Sequence, residues 1–182
     1  IMVIRDPYIV VVDLYWQGHV PQYHKFFIKS FLDRGYCVLS VTTAFDEIEK
    51  WSKSLSRKEQ SRFSAIQFHS TSINNTESIK IFFLKFLFLI ITRLQVLRVP
   101  KTAFFYKVLS VLFNWVNLNS IIKEFSLRHH SKPRLVFIGY LDSEFIFPGI
   151  TSKVVDSFFH YPWSGAYLGP KNFRSSIPKT NM

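Results

Sequence analysis

The sequence predicts an α/β protein built on a mostly parallel sheet with helices on both faces. Three observations carry that expectation. Runs such as Tyr8-Ile9-Val10-Val11-Val12 are apolar without alternation, the pattern of strands buried on both sides. Helical patterns separate these runs, and the connections are short. The 182 residues are 18% aromatic, with 20 Phe, and mean hydropathy is +0.11, so apolar surface for a packed core is plentiful. Disordered and low-complexity classes are excluded on that ground. A single cysteine, Cys37, excludes an intrachain disulfide framework.

The elements follow in order. Asp6-Pro7 precedes a first strand over 8–14. Gly18 and Pro21 then open a helix whose apolar positions Val20, Tyr23, Phe27 and Phe31 recur at helical spacing. Gly35 ends it, and residues 36–42 form a second strand, completing a βαβ unit. Residues 46–63 read as polar helix, with Trp51 and Leu55 facing inward, and 65–69 as a short third strand. Two long helices are expected over 77–98 and 102–127, divided by Pro100, before a fourth strand over 134–140. Residues 158–161 read as a fifth strand, and 163–168 as a sixth strand or a loop.

Charge is concentrated in the middle of the chain. Lys and Arg total 23 against 12 Asp and Glu, giving a net charge of +11 and a pI near 9.8. Residues 51–132 alone carry +10. This stretch also holds the most apolar run, 79–99, interrupted by Lys80, Lys85, Arg93 and Arg98. Those charges argue against a membrane span, which needs about 20 predominantly apolar residues. Two readings of the helical segment 77–127 remain: core of a larger body, or helices resting in a lipid interface with Lys and Arg snorkelling. In the second reading Lys80, Lys85, Arg93, Arg98, Lys101 and Lys107 contact an anionic surface. No targeting segment is expected at the start of the chain.

In open parallel sheets, chemistry gathers at the carboxyl ends of the strands. The first strand leads there to Gly18 and His19, a backbone able to approach a ligand and an imidazole able to act as base. The competing reading is a surface-loop histidine. The fourth strand leads to Asp142, either a partner for His19 or a helix cap. Around Pro162, the residues Trp163, Ser164 and Gly165 form either a stacking wall for a ring or an aromatic turn packed on the core. There is no G-x-G-x-x-G, no phosphate-cradling loop, no nucleophile elbow and no metal-ligand spacing, so no cofactor and no metal are expected. Residues 53–62 are basic but lack the interleaved aromatics of a nucleic-acid platform.

These segments resemble a known family. Val11-Val12-Asp13-Leu14 leading to Gly18-His19, the helix with Tyr23 and Phe27, and Gly35-Tyr36-Cys37-Val38 are similar to the opening of GT-B glycosyltransferases, nearest to family-four-like members. Phe137-Ile138-Gly139-Tyr140-Leu141-Asp142 resembles the fourth-strand region of the same domain, and Pro162-Trp163-Ser164-Gly165 a segment late in it. The resemblance implies a Rossmann-like fold, the N-terminal acceptor-side half of a GT-B enzyme, over 1–170, with 171–182 as a tail or the start of an interdomain connection. It implies hexosyl transfer from a nucleotide-sugar, metal-free, to a sugar or lipid-linked acceptor. His19 and Asp142 would be catalytic; Gly18, Trp163, Ser164 and Gly165 would bind substrate. The donor-binding domain is missing before Met182, so the chain alone is expected to be inactive.

The leading expectation is therefore a glycosyltransferase half, cytoplasmic and peripheral to the inner face of a membrane. The alternative is a non-catalytic truncated module that binds anionic lipid or a protein partner through its basic middle. Nucleic acid is the weakest candidate partner.

Overall fold

A computed structural model describes residues 7–14, 16, 18, 20–69, 90, 102–139, 155–156 and 159–166, with backbone alone for 102–108. Strand β1 is Tyr8–Asp13, followed by helix α1 Val20–Asp33, β2 Cys37–Thr42, α2 Phe45–Ser52 and the single turn α3 Arg57–Gln60. Then come β3 Phe63–Gln67, the long helix α4 Thr102–His129, β4 Pro133–Ile138 and β5 Trp163–Gly165. The five strands form one sheet in the order β3-β2-β1-β4-β5, and every pairing is parallel. This is the Rossmann-like α/β arrangement.

Burial explains why β1 has no hydrophobic alternation. All six of its residues are buried. Ile9 and Val11 pack with Ile28 and Leu32 of α1, Ile48 of α2, and Leu55 on one face of the sheet. Tyr8, Val10 and Val12 pack with Val111, Trp115, Leu118, Ile122 and Phe125 of α4 on the other. The spacing of those five α4 positions keeps them on one helical stripe. Tyr8 and Ser126 hydroxyls are 2.9 Å apart. Because Ser126 Oγ donates to the Ile122 carbonyl at 2.7 Å, it accepts from Tyr8, so this central tyrosine enters the core satisfied.

Local chemistry sets the ends of α1. Gly35 takes a φ of +88°. Its N–H donates to the Leu32 carbonyl at 2.9 Å and the Tyr36 N–H to Phe31 at 3.1 Å, the paired bonds of a Schellman stop. Phe31 and Tyr36 also meet edge to face at 6.4 Å. Ser56 and Glu59 make a reciprocal capping box for α3. Lys29 reaches Glu59 at 2.8 Å, tying α1 to that turn, and this bond, then those from Ser56, hold the Glu59 carboxyl at about 2.

Several boundaries differ from expectation. The polar stretch 46–63 is one short helix and one turn rather than a continuous helix, because capping serine Ser56 starts a new element. Strand β3 begins at Phe63, two residues early, in parallel register with Val38. The fifth strand is Trp163–Gly165, and Phe159–Tyr161 is not strand. Phe159 instead turns inward against Trp115, with ring centroids 5.0 Å apart. On α1 the inward stripe is His24, Ile28 and Leu32, not the one through Tyr23, which is 43% exposed. The expected helix over 77–98 lies outside the described residues apart from Ile90.

Two α1 substitutions separate core from surface. Ile28→Ala, at a fully buried position, is expected to cost about 2–5 kcal/mol in urea unfolding. Phe26→Ala, at a position 63% exposed, should change stability by no more than about 0.5 kcal/mol.

Candidate functional site

The strand order reverses at β1. From β1 the chain steps through β2 to β3 on one side, then returns along α4 to place β4 on the other side. Open parallel sheets bind ligands at the carboxyl ends of the strands beside such a reversal.

Asp13 ends β1 at this point and is 2% exposed. Across from it, Gly139 follows β4 and donates its N–H to the Val12 carbonyl at 2.9 Å. A Cβ on residue 139 would approach Asp13 Oδ2 to 3.3 Å and the Val12 carbonyl to 3.6 Å. Glycine thus lets the carboxylate lie against the end of the neighbouring strand. Gly18, in the turn before α1, has a φ of +60° with open space around its Cβ position, so its constraint is conformational rather than steric.

Behind Asp13 lies a buried polar cluster. His24, from the second turn of α1, is fully buried. Its Nε2 is 2.8 Å from Ser40 Oγ on β2, and its Nδ1 is 4.0 Å from Asp13 Oδ2. Thr42, at the end of β2, is also buried and accepts the Ala44 N–H at 3.2 Å. Asp13, Ser40 and Thr42 share the α1 side of the sheet through the alternation of the strands. The Trp16 ring stands edge-on to the His24 imidazole, with centroids 5.5 Å apart. Trp16 Nε1–H donates to Glu47 Oε2 at 2.6 Å, and Lys25 binds the other oxygen of Glu47 at 2.5 Å. The Lys25 and then the Trp16 hydrogen bonds hold the Glu47 carboxyl below its usual range.

Burial, helped by the nearby Lys25 charge, pushes His24 down to about 3. The imidazole is therefore neutral at ordinary pH and too weak a base to collect protons from solvent. In this cluster it shares one hydrogen bond, between Nε2 and Ser40 Oγ.

Of the residues read from sequence, Gly18 is exposed at the turn leading into α1. Trp163 is half-buried at the start of β5, edge-on to Trp115 at 5.4 Å, and donates Nε1–H to Asp156 Oδ1 at 2.9 Å. Ser164 is exposed and Gly165 half-buried; Ala166 donates to the Ile138 carbonyl at 3.1 Å, which brings the end of β5 to the same edge as Gly139. His19, Asp142, Lys80, Lys85, Arg93, Arg98 and Lys101 lie outside the described residues. Lys107 is on α4, with its side chain outside them. The pair His19 and Asp142 is thus not brought together by any described geometry.

Asp13, His24, Ser40 and Thr42 escaped the sequence reading as site residues. The available signal was Asp13, a carboxylate closing an unbroken apolar run, and His24, four residues before Ile28 on the inward stripe. A concavity of about 230 Å³ lies beside β3, away from Asp13, and is lined by Ile66, Ile121, Glu124, Phe125 and Arg128. Among the described residues no cluster of three metal-ligating side chains occurs, and no helix is long and apolar enough to cross a membrane. No protein-family model, characterised protein or solved structure matches the chain.

The His24 environment predicts acid sensitivity. In the unfolded chain the imidazole takes up a proton near 6.5; in the folded protein it does so only near 3. Between these values the unfolded state binds more protons, so this contribution is complete above pH 6.5 and is lost as pH falls toward 3. The slope approaches about 1.4 kcal/mol per pH unit. Urea midpoints between pH 7 and pH 4 should fall in the native protein and fall less steeply in His24→Gln. Equal slopes in the two proteins would exclude His24 as the source.

Proposed function

We propose that this chain is the acceptor-side, Rossmann-like half of a GT-B glycosyltransferase that moves a hexosyl group from a nucleotide-sugar to a sugar or lipid-linked acceptor. The observation that carries the reading is the reversal of strand order at β1, whose carboxyl end at Asp13 lies beside Gly139 after β4. Further support comes from β5, which carries Trp163-Ser164-Gly165 alongside β4. A dinucleotide glycine signature is lacking, which favours an acceptor over a nucleotide in this half.

In this reading His19 deprotonates the acceptor hydroxyl and Asp142 orients it, while Gly18, Trp163, Ser164 and Gly165 line the acceptor. The nucleotide-sugar is held by a second Rossmann-like domain, whose positive groups and helix dipoles stabilise the leaving diphosphate without a metal. The work is done on the cytoplasmic side of a membrane, with Lys80, Lys85, Arg93, Arg98, Lys101 and Lys107 against anionic headgroups. The charge of +10 over residues 51–132 supports that part.

Two experiments test the reading. In equilibrium dialysis against methyl hexosides, a polyprenyl-phosphate-linked sugar and a nucleotide-sugar, an acceptor glycoside should bind saturably, and Gly139→Val should abolish binding while near-UV circular dichroism is retained. Absence of glycoside binding, or full binding by folded Gly139→Val, would remove the site. In flotation with phosphatidylglycerol vesicles, the protein should rise with the lipid at low salt and be released as the Debye length shortens to about 3 Å near 1 M salt. Failure to float at low salt would remove the membrane component.

A further inference from the structure

All five strands are parallel, so every connection that enters a strand arrives at the same edge of the sheet, opposite the carboxyl edge. Residues 33–36 lead into β2, 53–62 into β3 and 128–134 into β4. Together they hold eight Lys and Arg against two acids, a net +6 of the chain's +11. The register keeps their ends level: Tyr8 of β1 stands opposite Cys37 and Pro133, and Val38 opposite Phe63. Side chains also join the three connections. A Cβ on Gly35 would meet Arg62 Nη1 at 3.6 Å, and the Arg134 guanidinium lies 5.8 Å from the Tyr36 ring centroid. Neighbouring connections are about 5–10 Å apart, within one Debye length near 0.1 M salt, so their charges add to one potential.

That charge is not cancelled locally. Asp33 and Glu59 are both held by Lys29 of α1. Arg34 and Arg62 donate to the Ser30 and Lys58 carbonyls, bonds that leave the guanidinium charge in place. Among the described residues, Lys53, Arg57, Lys58 and Lys132 are exposed and have no carboxylate partner. The described residues of the turns that leave the strands, at the other edge, include no Lys or Arg.

Two features decide which polyanion this edge fits. Its aromatic rings are packed: Trp51 meets Phe63 edge-on at 6.2 Å, and Tyr36 meets Phe31 at 6.4 Å. Bases therefore find no stacking platform there among the described residues. Leu127, in the last turn of α4, is 67% exposed beside Arg128. An exposed leucine among cations suits the boundary of headgroups and acyl chains, where the apolar side chain enters and the charges meet phosphates.

We propose that the amino-terminal edge of the sheet lies on an anionic lipid bilayer, with Lys53, Arg57, Lys58 and Lys132 on headgroup phosphates and Leu127 entering between them. The proposal rests on the bilayer of the function proposed above and on none of its sugar chemistry. Its cations are distinct from Lys107, which lies near the opposite end of α4.

The test uses the intact chain and phosphatidylglycerol vesicles at low salt. Lys53→Gln, Arg57→Gln, Lys58→Gln and Lys132→Gln together should weaken partitioning by at least roughly 100-fold, since each basic residue near an anionic leaflet contributes roughly fivefold. Far-UV circular dichroism should not change, because all four side chains are exposed. Flotation equal to that of the native chain would overturn the proposal and leave the lipid contact to residues 80–107. Failure of the native chain to float would overturn it together with the membrane part of the proposed function. Tighter binding to a DNA duplex than to the vesicles at equal salt would overturn the choice of lipid.

Placement is read independently with an environment-sensitive fluorophore on a single introduced cysteine, in a Cys37→Ser background. Attached at Leu127→Cys, the label should brighten on the vesicles. At Phe26→Cys, a position 63% exposed on α1, it should not. Equal responses at the two positions would contradict the placement. Absence of glycoside binding, with flotation and labels as expected, would count against the glycosyltransferase reading and leave the bilayer face intact.

Discussion

The burial of β1 on every side organises the rest of the molecule. A strand paired in parallel on both edges has all its backbone groups engaged within the sheet, so its side chains must find apolar cover above and below. The chain meets that demand with α1 and α2 on one face and α4 on the other, each presenting one stripe. Parallel pairing also requires long crossovers, which is why helices intervene between successive strands as far as β4. The position of β1 between β2 and β4 then fixes where the strand order reverses, and so fixes the place where a crevice can open.

The same burial makes the polar cluster informative. An aspartate at 2% exposure and a histidine and serine at 0% require hydrogen-bonding partners or a large loss of hydration free energy. They occur together on the α1 side of the carboxyl edge, while the amino-terminal part of the same face is apolar through Ile9, Val11 and Val38. Among the described residues, the buried polarity of that face thus gathers at the edge where parallel sheets place ligands. Trp16, held by Glu47, which Lys25 binds in turn, stands edge-on to the His24 ring, so an exposed layer of ionic contacts flanks the cluster.

Much of the fold was legible in the sequence because buried parallel strands leave an unbroken apolar signature. The strands β1, β2 and β4 carry it, and Gly35 marked the end of α1 through a positive-φ conformation that glycine, unlike residues with a Cβ, adopts without strain. Strand β5, three residues long, is too short to carry any period, and Trp163 and Phe159 both have the aromatic character of strand or turn. The inward stripe of α1 was displaced because a histidine contributes nothing to an apolar pattern, although His24 is as buried as Ile28. Of the candidate site, Gly18 was visible as a turn residue. Asp13, His24 and Ser40 are 11 and 16 residues apart along the chain and become neighbours only when α1 packs across β1 and β2. That juxtaposition is tertiary, and no local spacing encodes it.

The central claim is that ligand binding belongs to the carboxyl edge where β1 meets β4. Backbone amide shift mapping of the 15N-labelled chain, titrated with the glycoside that binds best, tests it directly. Shifts centred on Leu14, Gly18, Gly139 and Ala166 are the predicted result. Shifts confined to the concavity beside β3, at Ile66, Ile121 and Arg128, would contradict it.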